Sequence, residues 1–188
     1  FADGTGDPKG EEFALFRSFW LEKPQPGVDS VVIHALLDSP AVTGSFRFTI
    51  RPGETTIFDV QSTFFPRVKI EQSGIAALTG MFYFDSNDRT HVDDWRPAAH
   101  DSEALQIWTG SDQQLYRPLR NPLDLQFSAF SDISPRGFGL MQRRRSFHDF
   151  EGLALNYEKR PSLWIEPIGD WGAGFVDLFE IPTPNEVN

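Results

Sequence analysis

Between Gly44 and Ile50 the chain alternates strictly: Phe46, Phe48 and Ile50 fall on one side of an extended strand, Arg47 and Thr49 on the other. A period of two marks a half-buried β-strand. Arg51-Pro-Gly-Glu54 follows, where proline presets φ and glycine accepts a positive one, so the chain turns back. Thr55 to Phe65 continues as the next strand, closed by Pro66. Val28 to Leu37 precedes the pair, and its segment Val31 to Leu37 is a mostly apolar run fit for burial on both faces. Three strands joined this closely read as an antiparallel meander.

The same pattern recurs at Met81–Phe84, Leu105–Thr109, Leu115–Leu119, Leu125–Phe130, Gly137–Gln142, Ser162–Glu166 and Gly174–Ile181. Aromatic side chains suit pleated, half-buried surfaces, and 18 Phe and 5 Trp supply them, with 14 Pro and 15 Gly as punctuation. An all-β antiparallel sandwich is therefore predicted. One or two short helices are expected beside it, the first a short helix or turn. Phe13, Phe16 and Trp20 stand at helical spacing within Gly10–Leu21, and Phe147, Phe150 and Leu153 do so within Ser146–Tyr157. The first nine residues read as loop.

The 188 residues suit a domain with a sizeable core. Opening on Phe1 and stopping just past a strand, the chain reads as a section of a longer protein. A net charge of −10 argues against nucleic acid, and no apolar run approaches the length of a membrane span. With no cysteine there is no disulfide, thiol nucleophile or thiolate metal site.

Chemistry concentrates between Met81 and Trp108. There Asp85, Asp88, Asp93, Asp94, Asp101 and Glu103 share a stretch with Arg89, Arg96, His91, His100 and Trp95, too polar to be core and held between two strands. The four histidines, His34, His91, His100 and His148, form no His-x-His or His-Glu-x-x-His spacing, so no metal and no other cofactor is expected. His34, inside an apolar strand, reads as a hydrogen-bonded core residue. Arg143-Arg-Arg145 reads as a solvated turn or a salt-bridged rim. No nucleophile elbow, Walker loop or Rossmann glycine loop is present. Carboxylates beside aromatics and arginines suit carbohydrate: sugar C–H faces pack on indole and phenol rings while hydroxyls bridge polar side chains. Glycoside hydrolysis needs two carboxyl groups, yet a binding module carries the same mixture.

Met81-Phe-Tyr-Phe84, Asp94-Trp-Arg-Pro-Ala-Ala-His-Asp-Ser102, Gln106-Ile-Trp-Thr-Gly110, Arg117-Pro-Leu-Arg-Asn-Pro122, Ser134-Pro-Arg-Gly-Phe-Gly-Leu-Met-Gln142 and Tyr157-Glu-Lys-Arg-Pro-Ser-Leu-Trp-Ile-Glu-Pro167 carry a resemblance along nearly the whole chain. It is similar to the osmoregulated periplasmic glucan biosynthesis proteins of the G and D type. The resemblance implies an exported periplasmic protein. Residues 1–188 would form the latter half of its large galactose-mutarotase-type β-sandwich, and a C-terminal immunoglobulin-like domain would lie outside them. The partner it implies is a β-1,2-linked glucan oligosaccharide or polysaccharide, and the activity that of an inverting endo-β-1,2-glucanase. Carried over by residue, the general base falls on Asp101, and His100 either orients it or makes a structural hydrogen bond. The general acid is expected in an Asp-Asn pair beyond Asn188. Tyr157, Arg160, Trp164 and Glu166 match a segment lining the family's cleft. Asp93, Asp94 and Arg96 read as a brace for the loop. A non-catalytic glucan-binding or scaffolding role stays open, with a sugar epimerase as a third reading. Unpaired sheet edges would favour self-association, a homodimer being one outcome.

Overall fold

The computed structural model describes residues 2–3, 10–89 and 92–186, and the chain forms two compact units, residues 1–77 and 78–188. Both are built from antiparallel strands, as the alternation implies. His91, named above among the polar residues, lies outside the described ones.

In the first unit β1 (Ala2–Asp3) pairs with β2 (Glu12–Phe13) and, on its other side, with β7 (Ser73–Gly74). The meander comprises β3 (Leu15–Leu21), β4 (Val31–Asp38), β5 (Val42–Arg51) and β6 (Ile57–Pro66), in that order. Register sets Phe46 opposite Ala35 and Phe48 opposite Ile33, so the apolar residues of β4 and β5 share a face. Only that face of β4 is covered. Ala35 and Leu37 are buried whereas Leu36 is exposed, so burial on both faces is not what the run encodes.

The helix expected over Gly10–Leu21 is instead β2 and β3. A bulge at Arg17 interrupts the strand's alternation, and Trp20 falls on the face opposite Phe16. The register with β4 shifts between Phe16 and Ser18, which puts Phe16 and Phe19 on one face although they are three residues apart. Their rings lie 5.5 Å apart, and Phe16 packs edge-on against Phe46 at 5.2 Å. His34 is hydrogen-bonded but not core: its half-exposed ring meets Glu22 Oε1 at 2.6 Å.

The second unit opens with β8 (Phe82–Phe84), which pairs with β9 (Ala99–His100). A four-stranded sheet follows from β10 (Ala104–Trp108), β11 (Gln114–Pro118), β13 (Gly137–Met141) and β14 (Leu163–Ile165), in the order β11-β10-β13-β14. A separate ribbon pairs β12 (Gln126–Ile133) with β15 (Ala173–Glu180). Leu105, Ile107 and Leu140 of the sheet meet Val176 and Leu178 of the ribbon in one apolar cluster with Phe82 and Leu119. Two β-layers thus enclose this core. A smaller cluster joins Phe84, Ala98, Ala99, Phe150 and Tyr157.

In place of a helix over Ser146–Tyr157 stand two single 3-10 turns, Phe147–Asp149 and Tyr157–Lys159. Glu151 and Asn156 adopt left-handed backbone conformations, φ 51° and 49°. No helix runs through such residues. Among the described residues no helix is long and apolar enough to cross a membrane.

Candidate functional site

Asp101 directly follows β9, where its N–H donates to the Met81 carbonyl at 2.7 Å and completes the β8–β9 pairing. One carboxylate oxygen, Oδ2, accepts the Met81 N–H at 3.4 Å. The other, Oδ1, lies 3.1 Å from Arg160 Nε. The side chain is a quarter exposed, although Oδ1 is buried against Arg160 as an ion pair without a hydrogen bond. His100, one residue earlier, is fully buried. Its ring stacks on Phe82 and meets Phe150 edge-on, with Nε2 3.7 Å from Asp85 Oδ2.

Arg160 closes the 3-10 turn Tyr157–Lys159, its N–H bonding the Tyr157 carbonyl at 3.1 Å. Gln142 connects this turn to the aspartate. Its buried amide donates to the His100 carbonyl at 3.3 Å and the Tyr157 carbonyl at 3.2 Å, tying the residue before Asp101 to the turn before Arg160. Gln142→Leu removes both bonds of the buried amide, each worth about 0.5–1.5 kcal/mol, while the Tyr157 carbonyl keeps the Arg160 N–H. A matching fall in unfolding free energy, with looser Asp101–Arg160 pairing, is expected by denaturant titration and side-chain NMR.

Trp164 and Glu166 stand on and just past β14. The indole N–H donates to Glu166 Oε1 at 3.1 Å, and both side chains are exposed. Trp164 lies across β13 because glycines leave it room. A Cβ on Gly137 would sit 2.3 Å from the indole Cζ2, and one on Gly139 would sit 2.0 Å from the Leu163 carbonyl oxygen. Gly137→Ala is expected to turn the indole away and lose the Glu166 bond at about 1–3 kcal/mol for overpacking. Near-UV circular dichroism and thermal melting would record both effects. Tyr157, nominated above as a substrate contact, is fully buried. Its ring packs on Phe150, and its hydroxyl donates to Glu186 Oε2 at 2.7 Å. Its position is behind the surface, not on it.

Two ionic networks brace these parts. In the first, Arg96 joins Asp94 at 2.7 Å and also binds Glu186, and Arg89 donates to the carbonyls of Asp94, Arg96 and Pro97 while lying over the Phe84 ring at 4.7 Å. Asp94 and Arg96 therefore brace the loop as expected, whereas Asp93 is exposed. Burial raises the Tyr157 hydroxyl pKa, helped by its bond to Glu186. Burial also pushes Glu186 up, but Arg96 and Tyr157 outweigh it and hold the carboxyl below its ordinary value. In the second network Arg144 meets Asp85 at 2.7 Å, and Arg143 pairs with Glu103. The arginine run is thus a salt-bridged rim, and Asp85, His100 and Glu103 are core rather than loop surface.

Asp85, His100 and Glu103 bring potential ligand atoms within 4.8 Å of one another, which no sequence spacing signals. Arg143 and Arg144 already balance the two carboxylates. A divalent cation would add uncompensated charge in a buried place.

The structure thus brings Asp101 to Arg160, and Trp164 to Glu166, and it turns His100 toward Asp85. Sequence reasoning missed Gln142 and Glu186, whose roles depend on contacts to distant segments. Trp95 projects into solvent, 75 % exposed.

The family described as periplasmic glucan biosynthesis protein, MdoG, matches the chain over residues 1–188. Proteins named glucans biosynthesis protein G are similar to it: that of Bradyrhizobium diazoefficiens is 58% identical over 184 residues, that of Rhodopseudomonas palustris 57%, and one from Vibrio cholerae 53%. Each match covers 98% of this chain, but only 37%, 37% and 34% of the respective relatives. The chain spans about a third of the length of the curated relatives it matches.

Proposed function

The chain belongs to the MdoG family of periplasmic glucan biosynthesis proteins, and from that premise we propose that the complete protein cleaves β-1,2-linked glucan in the periplasm, as an inverting endo-glucanase with Asp101 as general base. The observation that supports it most is the setting of Asp101. It is a carboxylate on a rigid strand end, fixed by the Met81 N–H and the Arg160 guanidinium, yet open enough to meet a water. In an inverting reaction the base takes a proton from water as the water attacks the anomeric carbon, and an acid on the opposite side protonates the leaving oxygen. That acid is assigned to a carboxyl beyond Asn188.

Arg160, Trp164 and Glu166 serve as substrate contacts in this reading. The indole offers a flat apolar face for a pyranose, and Glu166 and Arg160 offer bonds to its hydroxyls. Tyr157 and His100 act from behind as positioning residues, Tyr157 through Glu186 and its backbone bond to Arg160. The two β-layers are taken as part of a galactose-mutarotase-type sandwich.

The test is to incubate the complete protein with linear β-1,2-glucan and follow chain length and the configuration of the new reducing end. Shortened chains with inverted anomers are expected. Glucan that binds but keeps its length would favour a scaffolding role in synthesis.

A further inference from the structure

One concave feature shares no residue with the surroundings of Asp101. It is a cavity of about 500 Å³ beside the connection from β11 to β12, within the usual range for small-molecule sites, about 300–1,000 Å³. Its wall is built. Glu180, buried at the end of β15, accepts Arg117 Nη2 at 3.0 Å and the Arg120 N–H at 2.7 Å. Asn121 donates its N–H to Asp88 Oδ2 at 2.9 Å and its side-chain amide to the carbonyls of Tyr83 and Thr183.

These groups are spent on one another, but two in the lining are not. Among the described residues neither the Arg120 guanidinium nor the Asn87 amide has a hydrogen-bond partner, and both line the cavity. Arg117 and Arg120 are balanced in formal charge by Asp88 and Glu180, so the cavity favours neither an anion nor a cation. Pro122 and the exposed Leu123 add an apolar flank. Planar polar donors, formal neutrality and a hydrocarbon wall together fit a polyol with one C–H face, that is, a pyranose ring.

We infer that this cavity is a second glucosyl-binding site, which holds a β-linked glucan chain at a point apart from Asp101. The inference rests on the reading that the protein handles glucan. Arg120 and Asn87 donate to ring hydroxyls, and Pro122 and Leu123 carry the sugar's apolar face.

The test uses the complete protein carrying Asp101→Asn, so that glucan is not consumed, titrated calorimetrically with linear β-1,2-gluco-oligosaccharides and separately with inorganic phosphate. Adding Arg120→Ala with Asn87→Ala should weaken oligosaccharide binding by about tenfold or more, two hydrogen bonds' worth, with the melting temperature unchanged. Asn87→Ala alone should give a smaller loss and guards against an effect of Arg120 on folding. Undiminished affinity in these variants would overturn the cavity's role and leave the reading of Asp101 intact. Phosphate binding abolished by the same variants, with oligosaccharide binding unaffected, would make this an anion site and overturn the inference. Absence of any oligosaccharide binding before the added substitutions would overturn both readings.

Discussion

Asp101→Asn in the complete protein is expected to lower turnover of linear β-1,2-glucan by about 10²–10⁴-fold, the usual contribution of a positioned general base. The amide keeps the size of the carboxylate and can still accept the Met81 N–H through its oxygen. Affinity for the glucan and the melting temperature should therefore hold while kcat falls. Arg160→Gln is the informative companion. Arg160 touches both the carboxylate and, in the proposal, the sugar, so its loss should raise KM and lower kcat together. Near-normal cleavage by Asp101→Asn would reject the assignment. A wild-type protein that binds glucan without shortening it would reject hydrolysis itself.

The strands were readable because alternation is a local property. Phe46, Phe48 and Ile50 needed no knowledge of β4 to declare their face. The bulge at Arg17 was not readable: Phe13, Phe16 and Trp20 stand at helical spacing, yet Phe16 pairs with Leu37 and Trp20 with His34 on the opposite face, which only the strand pairing reveals. The left-handed Glu151 and Asn156 broke the second expected helix for a reason no periodicity carries. Asp101 was located only through likeness to a family. Its chemistry is shared by five other carboxylates in the same stretch, and what singles it out, the approach of Arg160 from a segment far along the chain, is a tertiary fact. Gln142 and Asp85 were invisible for the same reason. A buried amide or carboxylate looks like any surface residue until its partners are in place.

Asp85→Ala is expected to be strongly destabilising, by about 1–3 kcal/mol, because it removes a buried carboxylate that accepts from the Arg144 guanidinium and the Ser86 N–H. Burial alone would raise the Asp85 pKa. The His100 ring 3.7 Å away, the Ser86 N–H and the Arg144 guanidinium more than offset that and hold it far below the ordinary carboxylate value. The sign of the pH dependence follows from linkage. A group whose pKa is depressed by folding contributes stability that is complete above its unfolded value, about 3.9, and is lost as pH falls toward the folded one. Wild-type protein should thus lose unfolding free energy below about pH 4 more steeply than Asp85→Asn. The gap between the two should be widest near neutrality and narrow on acidification. Parallel denaturation curves from pH 6 to pH 2 would show that the carboxylate is not held as the geometry implies. Replacing Asp85 and Arg144 together by apolar residues of similar volume should recover much of the loss, since a removed pair costs less than a broken one. That recovery would separate the electrostatic origin of the effect from a simple packing defect around Phe82 and Phe150.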